Sequence, residues 1–346
     1  MLLLALVAGS PPVAVAIAPT GFTAFQPQIA SSGGRAFVAC GAGDRIYVLA
    51  SEDGGRTFRV PVRLPSSGHL MLGMRRGPRI AISGESVVVS AVLGREGGGA
   101  DGDLLAWRSS DEGRTWSAPV QVSDVPGAAR EGLHAMAASA TGRVACTWLD
   151  LRSPGTEIWS SISNDGGATW SKNVRVYRSP DKTVCECCHP SAAFGPRGEL
   201  YVMFRNWLGG SRDMYLSTSK DGGSKYGPAQ KLGLGTWPLN ACPMDGGSIG
   251  VAPDGTVTTV WRRGGQVFLC QPGKAEVKVG EGVQPWMASG KDVNFVVWEN
   301  EETVMGVSEG RPQPFRQGTR PTVAIVGDRG MAVWADESGT VWSQRL

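Results

Sequence analysis

The sequence predicts an all-β protein, a β-propeller of four-stranded antiparallel blades, seven in number with six as the alternative count. Three observations predict it. Four octapeptides of one pattern, SEDGGRTF (51–58), SSDEGRTW (109–116), SNDGGATW (163–170) and SKDGGSKY (219–226), place Asp53, Asp111, Asp165 and Asp221 at intervals of 58, 54 and 56 residues. Such regularity is the mark of an internally repeated unit. A short opening of Pro, His or Gly with small apolar residues, then a Gly turn and a Val-rich strand, recurs seven times along the chain. Finally, 49 Gly and 22 Pro in 346 residues, without a collagen period, supply the turns that many short strands need.

The composition narrows the function classes. With 41 % hydrophobic and 19 % charged residues the chain can build a core, which excludes general disorder. A net charge of +3 is too small for a nucleic-acid or membrane-surface footprint. No apolar run reaches the roughly 18 residues that a membrane-spanning helix requires.

Residues 1–12 read as a leader segment, and 13–346 as one propeller domain. Met1 to Gly9 is apolar, and Ala14-Val15-Ala16 or Ala16-Ile17-Ala18 offers a small-residue cleavage site, which points to a periplasmic or extracellular protein. Against cleavage after Ala18 stands the run 13–17 (VAVAI), which falls where other units carry their fourth strand. The last unit stops after its third strand at Leu346, so an N-terminal strand is expected to close the ring and cover an open edge.

Each octapeptide follows a strand, at 46–50, 104–107, 158–162 and 214–218, and precedes another, as at 118–122 and 173–176. Its Asp can accept hydrogen bonds from backbone N–H groups two residues on, and its Gly supplies positive φ where the chain reverses. Asp53, Asp111, Asp165 and Asp221 are therefore structural candidates. The seven inner strands open at Pro27, Pro78, His134, Pro190, Gly247, Pro285 and Pro321. Second strands end in Phe204, Trp261, Trp298 and Trp334, and third strands follow at 267–269, 304–307 and 341–343.

The octapeptide resembles the Asp-box (BNR) repeat, S-x-D-x-G-x-T-W/F, of the sialidase-like β-propeller superfamily. Three copies fit fully, and the fourth departs with Lys225 and Tyr226 at its end. The resemblance implies a propeller but no single activity, because this repeat occurs in proteins of many functions. Sialidases have six blades, so the count of seven departs from that enzyme family.

In a propeller, the loops joining the outer strand of one blade to the inner strand of the next converge on one axial face. Here those loops hold His69, Met71 and Met74, then His134, then Cys185-Glu186-Cys187-Cys188-His189, then Cys242-Pro243-Met244-Asp245. All three histidines and four of the seven cysteines fall in this class of loop, while Cys40, Cys146 and Cys270 sit in apolar strands as inert thiols. Thiolate, thioether and imidazole form the soft set that selects Cu(I), or Zn in a thiolate-rich shell. Cys185, Cys187, Cys188 and Cys242 are the principal ligand candidates, with His189, His134, His69 and Met244 secondary. Disulfides tying adjacent blades are the competing reading, one of the triple cluster to Cys242 or a vicinal Cys187–Cys188 bond. Cys185, Cys188 and His189 also satisfy C-x-x-C-H, the attachment pattern of c-type haem.

The resemblance to sialidases implies three arginines for a substrate carboxylate, an Asp acid/base and a Tyr–Glu pair. The stretch where the family's first arginine stands in R-I-P reads Phe25-Gln26-Pro27-Gln28-Ile29 here, Asp44 matches the acid/base only loosely, and no Tyr follows Tyr226. Arg76, Arg79, Arg130, Arg205, Arg262 and Arg320 lie in inner loops or at strand ends and are candidates to meet an anion. The expectation is therefore an exported Asp-box propeller with a Cys/His/Met site for copper, less so zinc, or for a redox role. A glycan-binding or sialidase-like glycoside hydrolase and a disulfide-stabilised scaffold are the alternatives, with a small-molecule, glycan or protein partner on the axial face.

Overall fold

The computed structural model describes residues 13–308 and 311–346; the leader read at 1–12 lies outside the described residues. Seven antiparallel sheets follow one another around a ring, and no helix occurs among the described residues. The inner strands are Phe25–Ser32, Arg79–Ser83, His134–Ala138, Ser191–Phe194, Ser248–Val251, Val283–Ser289 and Thr319–Val326. They match the seven openings read from the sequence. The last sheet is completed by Val15–Ala16, whose residues pair with Ser343 and Trp342, so the N-terminal strand closes the ring as expected. Blade two carries one addition: His69–Leu70 pairs with Gly94 and Leu93 above the inner strand.

The core is divided rather than central. Seven clusters of buried side chains occupy the seven interfaces between adjacent blades. The second strand of each blade supplies both of its neighbours, because successive side chains point to opposite faces. In blade one, Phe37 and Ala39 pack toward blade two, while Ala36, Val38 and Cys40 pack toward blade seven. This is why such strands read as unbroken apolar runs instead of alternating ones. Trp107, Trp148, Trp298 and Trp334 fill the same layers; the indoles of Trp298 and Trp334 donate to the carbonyls of Glu281 and Gln317.

The four Asp boxes occupy equivalent turns, between the third and fourth strands of blades one to four. In the first, Asp53 Oδ1 accepts from Ser51 Oγ at 2.8 Å and Thr57 N at 2.9 Å, and Oδ2 accepts from Thr57 Oγ1 at 2.7 Å. The second and third boxes repeat these bonds around Asp111 and Asp165. Hydrogen bonds from Thr115 and Ser109 hold the Asp111 carboxyl down at about 2, and those from Thr169 and Ser163 hold Asp165 at about 2 against partial burial. In the fourth box Lys225 replaces the Thr, so Asp221 keeps its Ser219 and backbone donors without a second hydroxyl. The fifth-position glycines seat each turn on the preceding blade: a Cβ on Gly167 (φ +90°) would lie 2.8 Å from Val88, and one on Gly223 (φ +109°) 2.5 Å from Ile162. Strand order puts these turns on the ring face opposite the loops that carry the cysteines.

Candidate functional site: a thiol cluster on the axial face

The cysteine loop joins blade three to blade four. Its approach is fixed by backbone: Val184 N donates to Thr156 O at 3.0 Å, and Cys185 N donates to Arg205 O at 3.1 Å. The C-x-x-C turn then brings Cys188 Sγ to 3.0 Å and Cys187 Sγ to 3.8 Å from Cys185 Sγ, and all three sulfurs lie within 4.8 Å of one another. Cys185 and Cys188 are buried and Cys187 is half-buried. Cys242 comes from the next loop, between blades four and five; it is exposed and is not one of the three sulfurs that lie within 4.8 Å of one another. All seven cysteines are free thiols, so the structure contains neither of the expected disulfides.

The electrostatics single out one sulfur. Arg212 Nη1 donates to Cys185 Sγ at 3.0 Å, and its guanidinium is stacked 3.9 Å from the Trp207 ring. Hydrogen bonds with Cys187 and Cys188, joined by the charges of Arg205 and Arg212, hold the Cys185 thiol far below the ordinary range despite its burial. The same contacts work in the other direction on its neighbours. Sharing its hydrogen bond with Cys185 raises Cys187, and burial raises Cys188. The trio is thus a hydrogen-bonded set in which the neighbouring guanidinium groups favour the anion at Cys185.

A frame of arginines holds this arrangement. Arg205, fully buried, donates to the carbonyls of Asp245 at 3.0 Å, Arg212 at 2.8 Å and Arg262 at 3.0 Å, joining blades four and five beneath the cluster. Arg262 Nε stands 3.2 Å from the buried Asp245 carboxylate, and its Nη2 donates to Pro243 O at 2.7 Å. Arg75 crosses the axis to donate to Gln284 Oε1, Gln284 O, Arg320 O and Pro321 O, with its guanidinium 5.0 Å from the Trp286 ring. Burial lowers Arg75 to about 9 and Arg79 to about 10. Arg79 donates to the carbonyls of His134, Gly77, Pro78 and Arg75. Arg76 pairs with Glu131, Arg320 N donates to Glu299, and Arg130 is half-buried. Arg79 and Arg205 therefore spend their guanidinium groups on backbone carbonyls and serve as struts.

The histidines separate. His69 is exposed and pairs with Asp44 at 3.1 Å, Asp44 also accepting from Leu70 N. His134 is buried, with its nitrogens on Ser90 Oγ and Gly132 O, and burial lowers it to about 3. Neither joins the sulfurs. His189 follows the cluster directly, stacked on Trp286 with centroids 5.8 Å apart, and its Nε2 donates to Gly247 O at 3.0 Å. Its Nδ1 has no hydrogen-bond partner and packs against Gly246, where a Cβ would lie 1.7 Å from His189 O. Only glycine lets the two loops approach so closely.

This geometry does not fit haem. The two sulfurs of C-x-x-C-H face each other, and the imidazole is buried with Nε2 already bonded. It does fit a thiophilic ion. Sulfurs bound to one zinc ion at about 2.3 Å in a tetrahedral shell stand roughly 3.8 Å apart, which the Cys185–Cys187 pair matches at 3.8 Å, while the Cys185–Cys188 pair at 3.0 Å would have to open. Arg212 and Trp207 were missed in the sequence because they stand opposite each other in two ordinary paired strands, Ser211–Ser219 and Leu200–Leu208, with nothing local to mark them. Arg75, in a left-handed turn beside Met74, was missed because its partners, Gln284, Arg320 and Pro321, come from distant segments.

Comparison with known proteins places this geometry. A BNR repeat-like domain family matches residues 83–262, just over half of the chain. The chain belongs to the BNR repeat-like family. No curated protein matches the sequence. Among solved structures, this BNR protein resembles a protein of unknown function from Dyadobacter fermentans, at 15 % identity and TM-score 0.60, over 96 % of this chain and 97 % of that one. It also resembles an alpha-L-arabinanase from Penicillium chrysogenum (15 %, TM-score 0.55, 97 % and 98 %) and the Hadza microbial sialidase Hz136 (14 %, TM-score 0.53, 90 % and 73 %). At these identities the likeness is one of fold.

Proposed function

We propose that this BNR propeller binds a soft metal ion, copper as Cu(I) before zinc, through Cys185, Cys187 and Cys188 on its axial face. The observation that carries the reading is the convergence of three sulfurs within 4.8 Å, with Arg212 bonded to one of them. A Cu(I) ion bound by three thiolates carries a net charge of −2, and a buried anion needs neighbouring positive charge. Arg212 and Arg205 supply it. His189, next in sequence to Cys188, and Met244, in the neighbouring loop, are the supplementary donors. The apolar Met1 to Gly9 supports an exported, periplasmic or extracellular setting.

The test is Cu(I) competition against a chromophoric chelator with full-length protein purified under reducing conditions without a metal-chelating column. One equivalent should bind, with X-ray absorption giving sulfur scatterers at about 2.3 Å. Failure to compete, or a shell of oxygen and nitrogen only, would overturn the reading. A glycan on the same face is the second reading, favoured by the fold shared with an arabinanase and a sialidase. Isothermal titration with arabino- and sialo-oligosaccharides tests it.

A further inference from the structure

The four sulfurs are graded in exposure. Cys242 is exposed, Cys187 half-buried, and Cys185 and Cys188 buried, with Arg212 bonded to the buried Cys185. The segment bearing Cys242 is tethered at both ends. On one side, Trp237 N donates to Asp213 Oδ1 at 2.8 Å, Arg212 N donates to Trp237 O at 2.9 Å, and Leu239 N donates to Gly210 O at 3.3 Å. On the other, Arg262 holds Pro243 O, and Gln284 Nε2 donates to Met244 O at 2.7 Å. Between these anchors Asn240, Ala241 and Cys242 are all exposed. Met244, at the inner anchor, is 37 % exposed. Cys242 is the most exposed of the four sulfurs, so an ion arriving on a carrier meets it before the half-buried Cys187 and the buried pair.

We propose that Cys242 is the entry thiol of the cluster, taking Cu(I) from a soft-ligand donor complex and passing it through Cys187 to Cys185 and Cys188. The inference rests on the metal-binding reading above. Each step is an associative ligand exchange: the incoming sulfur forms its Cu–S bond, as a thiolate or with loss of its proton to solvent, while one bond to the previous ligand breaks and that ligand leaves as a thiolate that takes up a proton from solvent. Copper remains Cu(I) throughout, so no oxidant or reductant is needed. A final site made of buried and half-buried sulfurs and an exposed entry sulfur outside it separates the rate of loading from the strength of holding.

The experiment is stopped-flow transfer from the Cu(I)–bicinchoninate complex to the full chain, comparing wild type, Cys242→Ser and Cys185→Ser, with thermal melts confirming that each variant is folded. Cys242→Ser should load at least tenfold more slowly and reach the wild-type occupancy. Cys185→Ser should lose occupancy. Loading of Cys242→Ser at the wild-type rate would overturn the entry role, and so would loss of its final occupancy, which would make Cys242 a permanent ligand. A wild-type protein that takes up no copper would overturn the metal site itself, and the entry role with it.

Discussion

The two faces of the ring are built on opposite principles. One face carries the Asp-box turns, in which four copies of one hydrogen-bond pattern repeat with small variations. The mouth of the channel on that side, a cavity of about 220 Å³ lined by residues such as Ser139, Thr141, Pro196 and Pro253, has no ionisable side chain in its lining. On the other face no two loops are alike, and it gathers four cysteines and the buried charges of Arg75, Arg79, Arg205 and Asp245. The difference teaches that what every blade shares holds the blade together. What one or two blades hold alone is where a specific chemistry can reside.

The comparison can be broken at its strongest point first. Replacing Cys185 by Ser should weaken Cu(I) binding by a hundredfold or more in a chelator competition while leaving the melting profile within a few degrees. An equally tight variant would mean that the unrepeated face does not act through its sulfurs. Arg212→Met removes a charged hydrogen bond of about 1.5–3 kcal/mol, so the same competition should show affinity falling about tenfold to a hundredfold. On the repeated face, Asp165→Ala should cost about 1–2 kcal/mol in denaturant unfolding, as lost turn and cap bonds do, and leave copper uptake unchanged.

Acid sharpens the same contrast. The Asp111 and Asp165 carboxyls sit at about 2 in the folded chain against an ordinary 3.8. A depressed carboxylate contributes stability above its unfolded value and loses it as pH falls through the folded one. Stability should therefore decline between about pH 4 and pH 2, and an Asp111→Asn/Asp165→Asn variant should show a flatter profile in acid-dependent melts. The smallest effect concerns the imperfect copy. Lys225→Thr restores the missing hydroxyl donor to Asp221 and should stabilise by about 0.5–1 kcal/mol in the same unfolding measurement.

The repeated part of the molecule was legible in the sequence and the unrepeated part only partly. All seven inner strands, the turns of the four boxes and the closing strand follow from local patterns, because strand, turn and Gly chemistry act within a few residues. The fourth strands Val277–Glu281 and Arg311–Gln317 lack a box and a strong alternation, so nothing local announced them. Grouping the inner loops found the cysteine cluster, but it also swept in His69 and His134. Loops that share a face still occupy different sectors of the ring, and blades two and three hold these imidazoles apart from blades four and five. Arg75 and Arg212 were invisible because their partners are backbone carbonyls and a sulfur supplied by distant segments.

Arg75 has a consequence for how the ring comes apart. A ring of blades that touch only their neighbours behaves as a linear array bent into a circle, and such arrays can unravel piece by piece from a seam. The seam here is a two-residue strand, Val15–Ala16, the weakest ladder in the last blade. Arg75 leaves the loop between blades one and two and ties itself to Gln284 in blade six and Pro321 in blade seven. It works as a crossbar over the seam, tying the loop between blades one and two to blades six and seven. Opening is thereby turned from a local peeling into a concerted event, and amide exchange in blades one, six and seven should share a single opening free energy.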